Sequence, residues 1–303
     1  MILRFFCTFV LVLAPPMLSQ EAPSPPAETK RDLKFHRPHR VGDTYRYTAN
    51  VSQSRTMDIY MDDELHPAGS ESLELALEGI LEITQVTPQF GNILGVTLTV
   101  EKMSLTDDHG KQSGFEPGTV ITANSKDDAV LMTAKGMEVD GPLKEALELG
   151  LPTIHTIDEP ADAVLAPPGP VAPGDSWDMN QTKLAESLKK LRKVEIDADR
   201  SKAMMTYQGS AIAGGIETDT VMGSTHLIYT KIDDLPENYR LLRSSDIQDN
   251  TTALPRDPAV NSNPSERSVA ESKTRFAVKQ EGREFELEIK THLESRRTST
   301  PKL

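Results

Sequence analysis

From Tyr45 onward the chain is patterned with a period of two. In "YRYTANVSQSRTMDIYM" the odd positions hold Tyr45, Tyr47, Ala49, Val51, Met57, Ile59 and Met61, interrupted at Gln53 and Arg55. In "LELALEGILEI" Leu73, Leu75, Leu77, Leu81 and Ile83 alternate with Glu74, Glu78 and Glu82. Successive strand side chains point to opposite faces, so each stretch predicts one buried and one wet face. After a turn at Phe90-Gly91-Asn92, "LGVTLTV" continues the pattern as the second arm of a hairpin. Further strands are expected at 118–122, 130–139, 194–198, 203–211, 220–232 and 239–248. A last hairpin pairs 272–278 with "EFELEIKTHLE" across Gln280-Glu281-Gly282.

The period changes to a helical one twice. "PLKEALEL" at 142–149 puts Leu143, Ala146 and Leu147 on one stripe, with Pro142 suited to a first turn and Gly150 to an end. The second helix, near 181–193, groups Leu184, Leu188 and Leu191 opposite Lys and Arg. Pro-rich "EPADAVLAPPGPVAPG" reads as a linker, 160–172. The polar "NTTALPRDPAVNSNPSER" reads as a mobile loop, 250–267. An antiparallel sheet with one wet face must cover the other. The expected fold class is mainly antiparallel β with two or three helices (α+β): a curved half-open or barrel-like sheet wrapped around helices, in two related halves, 41–159 and 173–297, before a tail at 298–303.

The halves are suggested by a repeat. "RVGDTYRYT" and "APGDSWDMN" share Gly-Asp, a hydroxyl residue and an aromatic ring. Gly42 and Gly174 can take conformations closed to other residues, and Asp43 and Asp175 can bond their own backbone to fix a turn. Tyr45 and Trp177 then enter a strand at a buried edge. The six residues read as structural turn motifs, and no His stands near either Asp in a catalytic pattern.

The start of the chain changes the picture of where the protein lives. Arg4 and the apolar run "FFCTFVLVLA" read as a signal peptide, 1–19; the run is about half the roughly 20 residues a bilayer needs. A Pro/Ala/Glu-rich stretch, 20–40, reads as a disordered tether. Cys7 is the only cysteine, so the mature chain has no disulfide, thiol nucleophile or thiolate metal site. These signs predict an exported bacterial protein, periplasmic or extracellular, with no transmembrane segment in the mature chain. A net charge of −13 argues against nucleic acid.

Candidate chemistry is sparse. The seven histidines lack zinc-site spacing, and no calcium-loop, nucleophile-elbow or phosphate-loop motif occurs. Ser187-Leu188-Lys189-Lys190 matches Ser-x-x-Lys but lacks its partner motif. No catalytic residue, metal or cofactor is assigned. The signal peptide, Gly-Asp-hydroxyl-aromatic start, alternating strands, short helix, Pro-rich passage and "PGDSW" resemble an uncharacterised family of bacterial secreted proteins. That family is similar in build to the outer-membrane lipoprotein carrier fold, and the resemblance implies a hydrophobic groove between sheet and helices. The functional expectation is a non-enzymatic envelope protein holding an apolar ligand, such as a lipid or acyl chain. Met57, Met61, Met204 and Met222 are the candidate contacts, because Met adapts to varied apolar shapes; the competing reading makes them core filler. The alternatives are a protein-interaction or scaffold module with an envelope partner and no ligand, and a hydrolase using carboxylates.

Overall fold

The computed structural model describes residues 30–302 except 62, 63, 109, 111, 127, 128, 234 and 281. The signal peptide and the first part of the tether lie outside the described residues. The first strands are β1 (Thr44–Met61), β2 (Glu64–Val86), β3 (Ile93–Asp107), β4 (Gln112–Ser113), β5 (Val120–Lys126), β6 (Ala129–Ala134) and β7 (Met137–Glu138). Helices α1 (Gly141–Gly150) and α2 (Asp162–Leu165) follow, then β8 (Ser176–Asp178), α3 (Gln181–Arg192) and β9 (Val194–Ile196). Five long strands complete the chain: β10 (Lys202–Ala213), β11 (Ile216–Ile232), β12 (Tyr239–Pro255), β13 (Ser265–Gln280) and β14 (Arg283–Pro301).

The fourteen strands of the described residues belong to one sheet, ordered β7-β6-β5-β3-β2-β1-β14-β13-β12-β11-β10-β8, with β4 beside β3 and β9 beside β11. Every pairing is antiparallel, as expected of strands joined by hairpins. The seam lies at the centre, where the first and last strands pair from Tyr45↔Pro301 to Tyr60↔Glu286.

Two expectations are corrected. The fold is not an α+β sheet wrapped around helices. β2 has 23 residues and α1 has 10. At about 3.3 Å per strand residue and 1.5 Å per helical residue, α1 covers roughly a fifth of that strand's length. α1 buries Ala146 and Leu147 on the first core, α3 buries only Leu188, and α2 buries no residue. Nor are there two halves of matching build. β1 runs for 18 residues into a hairpin, whereas β8 stops after 3 and leads into a helix.

The loop expected at 250–267 is also shorter. β12 continues to Pro255 and β13 begins at Ser265, so only 256–264 is irregular. Its Arg256 is held by Asp219 at 2.9 Å. The end of the stretch read as tether is packed: Leu33 and Phe35 are buried, and Arg31 bridges to Val171.

The core has two parts. The first gathers Tyr47, Val51, Leu75, Leu77, Val96, Leu98 and Ile121 under Ala146 and Leu147 of α1. The second gathers Trp177, Met179, Met205, Tyr207, Val221 and Leu254 with Leu33, Phe35 and Val171, and Val164 and Leu165 of α2 and Leu184 of α3 pack against it. Irregular chain and two helices together cover this core.

Candidate functional site

The Gly-Asp repeat has the same geometry in both copies. Gly42 N–H donates to Ile83 O at 2.9 Å and Ile83 N–H to Asp43 O at 2.9 Å. Gly174 N–H donates to Tyr207 O at 2.7 Å and Tyr207 N–H to Asp175 O at 3.0 Å. Asp43 Oδ2 accepts from Arg40 N at 2.6 Å, and Asp175 Oδ2 from Ala172 N at 2.8 Å. Gly42 and Gly174 sit at φ of +92° and +89°, where a Cβ is strained. Each motif closes a turn and docks it on the neighbouring strand.

The aromatic residues diverge. Trp177 Nε1 donates to Leu165 O at 2.9 Å, and its ring meets Phe35 edge-on at 6.3 Å. Tyr45 instead points its hydroxyl into a cavity, donating to Asn261 Oδ1 at 2.6 Å with His39 Nδ1 at 3.3 Å. Asn261 Nδ2 in turn donates to Asp43. Burial of the His39 ring moves its pKa down, and burial of the Tyr45 phenol moves its pKa up.

This cavity holds about 300 Å³. Irregular segments and five strands wall it: Phe35, Arg37 and His39 from 30–40; His155 from 152–161; Ser262 and Asn263 from the 256–264 loop; Tyr45 and Arg297 from β1 and β14; and Leu81, Ile93 and Glu266 from β2, β3 and β13. A groove of about 580 Å³ adjoins it and shares Phe35, Asn263, Glu266 and Arg297. Met179, Met205, Val221, Leu254, Leu165 and Leu293 supply the groove's apolar surface, with polar side chains such as Gln248 and Asn250 along the other side.

The four candidate methionines do not line this groove. Val221 and Gly223 face it, so Met222 between them points to the opposite face. Met204 is likewise exposed while Met205 lines the groove. Met57 lies opposite Gly69, and Met61 is exposed at the end of β1; both are remote from the groove. Arg37, His155, Asn263 and Arg297 were missed by sequence reasoning. The dense polar run Asn261-Ser262-Asn263 was the one local signal.

Among the described residues no cluster of three or more His, Cys, Asp or Glu is placed to hold a metal ion. No described helix is long and apolar enough to cross a membrane. The Lys189, Lys190 and Arg192 side chains pair with Glu195, Glu159 and Asp246 at 2.9, 2.9 and 3.5 Å, as a solvated helix face does.

Fold and site together define an antiparallel β protein that carries a cavity and an adjoining groove, both of mixed polar and apolar lining. No family model and no curated protein matches the chain. Among solved structures it is similar to a DUF1329 family protein from Desulfovibrio piger ATCC 29098. The identity is 9%, the match spans 82% of this chain and 85% of that one, and the TM-score is 0.17. It is also similar to the COG4313 outer membrane channel from Pseudomonas putida F1, at 8% identity over 89% of this chain and 100% of that one, with a TM-score of 0.22. Both are bacterial proteins. At these scores the likeness carries no argument about what the groove holds.

Proposed function

We propose that this is an exported, non-enzymatic protein of the bacterial cell envelope that holds the apolar tail of a lipid-like ligand in the concave groove. The observation that carries the reading is the groove, where Met179, Met205, Val221 and Leu254 present apolar surface beside about 580 Å³ of open space. Pliable methionines suit a chain of variable length, and sites of this size and mixed lining are usual for small apolar ligands. Export is supported by the signal-peptide pattern of residues 1–19.

The test is native mass spectrometry of protein exported by its host and purified without detergent. A stoichiometric lipid-like mass, lost in Gly223→Val, supports the reading. A Cβ at Gly223 would stand 3.0 Å from Met205 Sδ and 3.3 Å from Met179 Cε, so the variant fills the groove at flexible side-chain ends. No bound mass, and no uptake of a fluorescent acyl probe, favours the interaction module instead.

A further inference from the structure

We infer that the cavity beside the groove is a subsite for an oxyanion, a phosphate or carboxylate, carried by the ligand whose tail the groove holds. The inference rests on that proposed reading for the tail, but on separate observations for the head.

The first observation is a concentration of unsatisfied polar atoms. Among the described residues, Arg37 Nε, His155 Nδ1, Ser262 Oγ, Asn263 Oδ1 and Arg297 Nε are buried without a hydrogen bond in the protein, and all five residues line this cavity. Only Thr84 Oγ1 and Thr225 Oγ1 share that condition elsewhere. A buried donor left unpaired costs about 1–3 kcal/mol, so such groups normally find partners. Their convergence on one open space marks a place for a ligand's polar atoms.

The second observation is charge. Arg37 donates to the carbonyls of Asp257 and Pro255, and no described carboxylate comes within ion-pair distance of it. Arg297 donates to Leu149 O at 3.0 Å and stands 3.8 Å from Glu266. Glu266 is the one carboxylate on the cavity wall. On the wall itself two guanidiniums face one carboxylate, while Asp162, Asp257 and Asp219 act on Arg37 from around the cavity. Asp162 and Asp43 keep their charge but spend oxygens on nearby N–H groups: Asp162 accepts from Phe35 N and His36 N, and Asp43 from Arg40 N and Asn261.

The third observation is donor geometry. Guanidinium forks suit the planar or tetrahedral oxygens of carboxylate and phosphate. The free Nε–H groups and the Ser262 hydroxyl offer donors. Asn263 Nδ2 is spent on Glu266 at 2.8 Å, which leaves its Oδ1 as an acceptor for a protonated oxygen of the same group.

The test is calorimetry of the full mature protein with three probes: octyl phosphate, octanol and inorganic phosphate. Octyl phosphate is expected to bind at least tenfold more tightly than octanol. Arg37→Gln removes that margin. Ser262→Ala, whose lost hydroxyl bonds nothing in the protein, lowers octyl phosphate affinity several-fold and leaves octanol unchanged. Equal binding of octyl phosphate and octanol overturns the oxyanion subsite and spares the tail reading. Inorganic phosphate binding as tightly as octyl phosphate, with no octanol binding, supports the subsite and overturns the tail reading. Binding of none of the three overturns both, and leaves a cavity filled by water only.

Discussion

Glu288 is a carboxylate on the wet face of β14, yet its side chain is 1% exposed. Cross-strand register explains this. Asp58, Glu288, Arg275 and Arg243 are successive partners across β1, β14, β13 and β12. Arg275, Lys273 and Arg243 reach the Glu288 carboxylate at 2.9, 3.1 and 3.1 Å, and Lys290 at 3.2 Å. Arg275 also lies over the Tyr60 ring at 4.2 Å, so the cover is made of cation stems and not of core. Burial pushes the carboxyl pKa up, but the hydrogen bonds from Arg275, Lys273, Arg243 and Lys290 outweigh it and hold the value at about 2. A depressed carboxyl pKa stabilises the fold above the unfolded value of 4.5, and that contribution is lost as pH falls from 4.5 towards 2. Up to about 3 kcal/mol of stability is therefore expected to disappear over that window in urea unfolding, and Glu288→Gln should flatten the loss while destabilising the protein at pH 7 by about 2–3 kcal/mol. At the same scale, Gly174→Ala forces a Cβ at positive φ and is expected to cost about 1 kcal/mol or more in the same assay. The sequence made the Gly-Asp turns legible because their chemistry is local. It did not make the methionines legible. With a period of two, a slip of one residue moves a side chain to the other face, and Met204 and Met205 differ by that slip.

Among the elements, those with a period were readable and those without were not. α3 lies over Gln181–Arg192, as its Leu spacing predicts, with Asn180 Oδ1 accepting from Lys183 N at 3.1 Å as cap. Asn180→Ala should cost about 1 kcal/mol, read as a lowered thermal midpoint. The segments 30–40 and 256–264 fall within the stretches read as tether and mobile loop, and 152–161 spans the end of the first half and the start of the linker, because Pro, Asn and Ser carry no periodic signal. They nonetheless build the cavity, and what fixes them is distant: Asp162 for Phe35, Asp219 for Arg256, and Asp43 for Asn261. Contacts 37 to 218 residues apart leave no trace in a local window. The first of these segments has a sensitive reporter, because Trp177 is the only tryptophan and Phe35 packs on it. Phe35→Ala is expected to red-shift Trp177 emission and to cost about 3 kcal/mol. An unchanged emission maximum would mean that this segment does not cover the second core in solution.

For the whole molecule, the sequence showed one-sided antiparallel strands but not their order. Local hairpins follow from alternation and turn residues, whereas the pairing of β1 with β14 joins positions at opposite ends of the fold. Strand length was also hidden in part, because the exposed start of β2 and the polar start of β13 lack the hydrophobic face that marks a strand. The central seam predicts strong cooperativity. A chain ended at Gln280, which lacks β14, leaves β1 and β13 as long unpaired edges. It is expected to show no cooperative thermal transition and to aggregate, whereas the full chain unfolds in one step.

The seam also sets a timetable. β1 is the first strand to be synthesised and β14 the last, and Lys302 N–H donates to Thr44 O at 3.0 Å. The middle of the sheet therefore has no partner until β14 has been made, however early the outer hairpins form. Until then the two halves of the sheet face each other as open edges, and the one strand pair that joins them is also the last that can form.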